Sequence, residues 1–138
     1  MSGILVALDG SLGSEQALQA AVKLAQQDGG QVAAVAVLDR SSDPYLDRLT
    51  EGVKTHARRQ LAELLETAAN FARSRGVQLH PILCEGNPAD TIITCAEKQQ
   101  ASLVVLGANS AARVGDGLGD TADRVSAHCP CTVLIVKS

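Results

Sequence analysis

Gly107, Gly115, Gly117 and Gly119 lie between an apolar run, Leu103-Val104-Val105-Leu106, and a helix-like segment from Asp120 to His128. A glycine-rich loop that leaves a strand and opens a helix aims backbone N–H groups and the positive end of the helix dipole at one point. That arrangement holds a phosphate. Asp9, which closes the apolar run Ile4 to Leu8, is a second group able to do chemistry. A carboxylate there can hydrogen-bond a ribose or base, hold a metal, or start a turn through its own side chain. A plain flexible loop is the competing account of the glycines.

Stronger signatures are missing. No segment matches G-x-x-x-x-G-K-[ST], and Gly10 and Gly13 lack the third glycine of a dinucleotide fingerprint. A phosphorelay receiver needs an acid at the end of its third strand, where this chain has Cys84. His56 falls on the polar side of a long helix, His80 in a strand, and His128 at a helix end, where an imidazolium favours the dipole. With no histidine in a loop at the strand ends, general-base catalysis has no evident agent.

Cys84, Cys95, Cys129 and Cys131 contain no C-x-x-C pair, and Cys129-Pro130-Cys131 is too tight for a structural zinc knuckle without a second pair. Reduced, buried thiols are the expectation, with metal or redox use as the alternative.

These groups must be positioned by an alternation of strand-like and helix-like runs. Ile4 to Leu8, Val32 to Leu38 and Leu103 to Leu106 are continuously apolar, as strands covered on both faces are. Thr132 to Val136 is the last strand. Val77 to Cys84 alternates only partly and contains Pro81, which cannot donate to a ladder, so it reads as an edge strand. Helices are predicted over about Gly13 to Gln27, Gly52 to Ser74, Asn87 to Gln100 and Asp120 to His128. Asp43 before Pro44 could cap a short helical turn, and Asn87-Pro88 opens a helix with an N-cap and a first-turn proline. Strands alternating with helices imply one doubly wound parallel α/β sheet with helices on both faces. Ligands of such sheets sit beyond the carboxyl ends of the strands.

The chain has 138 residues, enough for one domain spanning 1–138 with its own core. A net charge of −3 without a basic run argues against nucleic-acid binding. With Tyr45 and Phe71 the only aromatics, there is no platform for stacking bases. No apolar run approaches a membrane span. Met1-Ser2-Gly3 leads into the first strand without a leader pattern, and a cytoplasmic location is expected.

Taken in order, Ile4-Leu5-Val6-Ala7-Leu8-Asp9-Gly10-Ser11, Gly86-Asn87-Pro88, Leu103-Val104-Val105-Leu106-Gly107 and Cys129-Pro130-Cys131-Thr132-Val133-Leu134-Ile135-Val136 resemble a universal stress protein over essentially the whole chain. The resemblance implies a five-stranded parallel sheet in the order 3-2-1-4-5. It also implies a homodimer formed through the fifth strand, Thr132 to Val136. An apolar edge without proline or charge before Lys137 independently calls for cover.

Members of the family divide into those that bind ATP and those that do not. The binding kind carries G-x-x-G, nine residues, then G-[ST] after strand four. By resemblance Gly107 and Gly119 keep their positions, with Asp9 at the first strand and Val37 beside an adenine. Ser110 replaces the second glycine, only eight residues separate it from Gly119, and Asp120 replaces the hydroxyl residue. A carboxylate about 4 Å from a phosphate costs about 1–4 kcal/mol, and Ser110 about 1–2 kcal/mol if positive φ is required. Mg²⁺ bridging Asp120 to the phosphates, or Thr121 supplying the hydroxyl from a shifted loop, would restore a site.

The expectation is a non-enzymatic stress-response or regulatory module, a homodimer with an unknown protein partner and no tight ATP binding. The alternative is a member that binds ATP or AMP with Mg²⁺ and whose nucleotide state gates a partner. A slow ATP hydrolase is a third possibility, lacking an identified water-positioning group.

Overall fold

The computed structural model describes residues 3–27, 29–39, 51–108 and 120–137. The elements run β1 (Ile4–Leu8), α1 (Leu12–Gln27), β2 (Gln31–Asp39), α2 (Glu51–Ser74), β3 (Gln78–Gly86), α3 (Pro88–Lys98), β4 (Leu103–Gly107), α4 (Asp120–His128) and β5 (Thr132–Val136). All five strands pair in parallel, in the order β3-β2-β1-β4-β5. Fold class and the edge position of β3 are as the sequence predicts, and the strand order is the one the family resemblance implies.

Several boundaries move by one or two residues. β3 extends past Cys84 because Leu38 and Asp39 of β2 pair with Glu85 and Gly86. α3 stops at Lys98, with the Gln99 and Gln100 N–H groups still bonded to the Cys95 and Glu97 carbonyls and Gln100 at φ +52°. α1 begins at Leu12, because Ser11 is its cap. The proposed Asp43-Pro44 cap lies outside the described residues.

The unbroken apolar character of β1 follows from its place at the centre. Ile4, Val6 and Leu8 face a layer formed by α1 and α2, while Leu5 and Ala7 face α3 and α4. All five are buried. Burial thins outward, and at the edges β5 leaves Leu134 38% exposed and β3 leaves Leu83 40% exposed. Burying a side chain such as Val35 or Leu106 contributes about 1.5–3 kcal/mol, and both belong to the cluster beneath α3 and α4.

Ala17, Ala21 and Ala25 form the buried stripe of α1, with Leu18 and Val22 beside them. Small residues there let the helix axis approach the sheet closely. α2 ends in a Schellman motif, with Val77 N–H donating to the Ala72 carbonyl at 2.9 Å and Gly76 N–H to the Arg73 carbonyl at 3.0 Å.

Candidate functional site

The carboxyl ends of β1, β2 and β4 bring three of the predicted residues to one rim of the sheet. Leu8 pairs with Ala36, so Asp9 and Val37 each follow the same rung. Gly107 closes β4 and pairs with Val136. Thr121, half-buried, stands in the first turn of α4. Gly119, with Ser110 and the rest of the glycine loop, lies outside the described residues. Asp120 is the first residue of α4.

Asp9 is exposed and does the least exotic of the three things open to it. Its Oδ1 accepts the Ser11 N–H at 2.9 Å, closing a turn around Gly10 at φ +86°. A residue with a Cβ would be strained at that angle. Ser11 then caps α1: its Oγ accepts the Ser14 N–H at 3.1 Å, the bond an N-cap makes to the third helical residue. Ser14, only 2% exposed, returns the favour twice. Its Oγ donates to the Ser11 carbonyl at 3.1 Å and accepts the Asp9 N–H at 3.3 Å. The sequence reading missed Ser14; the S-x-x-S spacing of Ser11 and Ser14 is the signal that would have found it.

Gly107 has a structural partner as well. A Cβ on it would lie 2.9 Å from the Gly13 Cα and closer still to the Gly13 carbonyl group. Glycine is required there by the approach of α1 to the end of β4, whether or not a ligand is near.

Val37 is half-buried and packs on the cluster beneath α3 and α4, opposite Cys84 of β3. The helix beyond β3 is anchored by Asn87, whose Oδ1 accepts the Asp90 N–H at 3.0 Å, with Pro88 in the first turn. Asp90 in turn pairs with Arg124 of α4 at 3.0 Å, so the helix that follows the glycine loop is tethered to its neighbour. Both side chains are more than half exposed, and such a pair contributes little stability.

A cavity of about 370 Å³ opens beside the Asp9 turn between α1 and α2, lined by Gly10, Ser11, Ser14, Leu18, Leu64 and Phe71, among others. A second, of about 270 Å³, lies at the amino end of the sheet near Gln31, Gln78, His80 and Gln99, the end opposite to where ligands of these sheets sit.

His56, His80 and His128 are exposed, one in α2, one in β3 and one ending α4. Among the described residues, no cluster of three or more His, Cys, Asp or Glu could hold a metal. Nor, among the described residues, is any helix long and apolar enough to cross a membrane.

The described part of the rim therefore gathers Asp9, Val37 and Gly107 at the carboxyl ends of β1, β2 and β4, each already held by the fold. The Asp9 carboxylate is engaged with the cap of α1, and Gly107 answers to Gly13.

The sequence profile of the universal stress protein family matches residues 1–137. A universal stress protein of Methanocaldococcus jannaschii is 32% identical over 139 residues, covering 97% of this chain and 81% of that protein. Among solved structures, the universal stress protein UspA from Lactobacillus plantarum superposes with a TM-score of 0.87 at 26% identity, over 98% of this chain and 97% of that one. A universal stress protein from Archaeoglobus fulgidus, solved in complex with dAMP, shares the fold with a TM-score of 0.73 at 23% identity, over 99% and 98% of the two chains. With a matching profile over nearly its full length and the sheet order found here, the chain belongs to the universal stress protein family.

Proposed function

We propose that this protein is a non-enzymatic stress-response regulator that works as a homodimer through β5, engages a protein partner, and does not bind ATP tightly. One observation carries the reading. β5 pairs only with β4 among the described residues, and its Thr-Val-Leu-Ile-Val sequence ends the sheet with Leu134 38% exposed. An apolar edge of that kind is a pairing surface unless it is covered. The ATP part of the proposal rests on sequence, Ser110 and Asp120 standing where the binding pattern has Gly and a hydroxyl residue.

Light scattering at micromolar concentration tests the dimer. Wild type should have twice the chain mass and Leu134→Lys the mass of one chain. A monomeric wild type would sink the edge-strand argument.

A second reading is favoured by the dAMP complex of the Archaeoglobus relative. There the protein binds ATP or AMP with Mg²⁺, using Asp9, Val37, Gly107, Gly119 and Thr121, and its nucleotide state gates the partner. Calorimetric titration with ATP and Mg²⁺ separates the two. No binding by wild type at millimolar ATP, and binding gained in Asp120→Ser, supports the first; micromolar binding by wild type establishes the second.

A further inference from the structure

The turn that joins α4 to β5 holds two sulfurs against each other. Cys129 follows the last residue of α4 and Cys131 precedes the first residue of β5. Their Sγ atoms lie 3.4 Å apart, close enough for an S–H···S hydrogen bond, and both residues are half-buried. We infer that Cys129 and Cys131 form a redox-active dithiol, a site of reversible oxidation to an intrachain disulfide by hydroperoxides.

The backbone permits the bond. Alternate residues can be no more than about 7 Å apart at Cα, and disulfides accept Cα separations up to about 6.8 Å. The chain bends at Pro130 and Cys131, which shortens the span. Pro130 also fixes φ near −65°, so little backbone freedom is left to lose on closure. An S–S bond of about 2.05 Å requires the sulfurs to approach by roughly 1.4 Å, a movement that χ1 rotations of two side chains can supply. Half-burial leaves a small peroxide a route to the sulfurs and shields them from bulkier reagents.

The chemistry balances with a single oxidant. One cysteine, as its thiolate, attacks a peroxide oxygen; the O–O bond breaks, the sulfur becomes a sulfenic acid, and the departing hydroxide takes up a proton. The second sulfur gives up its proton and attacks the sulfenic sulfur. The S–O bond breaks, and the hydroxide released is protonated to water. Two thiols and one hydrogen peroxide become one disulfide and two waters.

The other two cysteines differ in their placement. Cys95 is buried in α3 and Cys84 half-buried in β3, with no sulfur–sulfur contact of this kind between them among the described residues. The 129–131 pair, by contrast, sits in the link between the helix that follows the glycine loop and the strand at the sheet edge.

The test uses the full chain, reduced and then exposed to equimolar hydrogen peroxide, unfolded in urea, alkylated with iodoacetamide, and digested with trypsin without reductant. Mass spectrometry follows the peptide Val125–Lys137. The expected product carries no alkyl group, has lost two hydrogens and gained no oxygen, and becomes doubly alkylated after dithiothreitol and fresh iodoacetamide. Cys84→Ser should retain the product, and Cys129→Ser and Cys131→Ser should lose it entirely. Two alkyl groups on the oxidised wild-type peptide would overturn the inference. So would oxygen added to separate sulfurs, or a crosslink to Cys84, Cys95 or a second chain.

Discussion

Gly107 at the end of β4 and Gly13 in the first turn of α1 are packed backbone to backbone, with no room for a Cβ on Gly107. This contact joins the last central strand to the first helix, across most of the length of the chain. It also changes how a mutation of Gly107 must be understood, because a loss of ligand there would follow from a displaced helix.

Gly107→Ala should therefore destabilise the fold. The obstruction is backbone rather than the tip of a flexible side chain, so the cost should reach or exceed the upper end of the roughly 1–3 kcal/mol typical of overpacking. Urea unfolding followed by far-UV circular dichroism checks it; an unchanged midpoint would show that α1 can move aside.

Asp9→Ala removes the acceptor for the Ser11 N–H. The structural role predicts a loss of about 0.5–1.5 kcal/mol, the worth of one ordinary hydrogen bond, with no ligand present. Asp9→Asn keeps an acceptor oxygen and should recover most of the loss. Equal losses in the two variants would mean that charge matters more than the turn.

Asn87→Ala should cost about 1 kcal/mol through the lost cap of α3, and Asn87→Ser should restore most of it. The same unfolding measurement decides, and a neutral alanine variant would show that Pro88 and the Asp90–Arg124 pair hold the helix end without the cap.

The Cys131 thiol is pushed up to about 11 by burial first and by the neighbouring Cys129 second, through hydrogen bond and charge. Its alkylation by iodoacetamide should be slow at neutral pH and accelerate as pH rises toward 11, because only the thiolate reacts. The folded chain holds this proton more tightly than the unfolded chain, whose thiol titrates near 9.0. The contribution to stability is thus full below about pH 9 and declines as pH rises through about 11. Mass spectrometry of the alkylated peptide over a pH series measures the first effect. In Cys129→Ser the profile should shift to lower pH as the neighbouring thiol is removed.

Much of the fold is legible in the sequence because its signals are local. Continuous apolar runs mark the covered strands, Pro81 marks an edge, and Asn87-Pro88 marks a helix start. Register is less so: β3 outruns its apolar pattern because β2 supplies partners for Glu85 and Gly86. The rim is legible in placement only. Asp9, Val37 and Gly107 can be assigned to the carboxyl end of the sheet from strand order, yet nothing local in the sequence brings Gly13 against Gly107 or the Cys129 sulfur against that of Cys131. Those are products of packing between elements far apart in the chain, or of a bend whose angle composition does not specify. The Arg58–Glu85 pair at 2.6 Å, which ties α2 to the far end of β3, is hidden for the same reason.

The two borders of the sheet are unequal. One carries Pro81, without an N–H to offer, with Glu85 held by Arg58 near its end; the other carries five consecutive residues with neither proline nor charge. Growth by strand addition needs a receptive border on both sides of each copy, since a copy joined through one must still offer another. A molecule with a single receptive border can join once and then stop. On the proposed reading of β5 as the pairing edge, association joins two copies and ends there, with the Pro81 border left outside the contact.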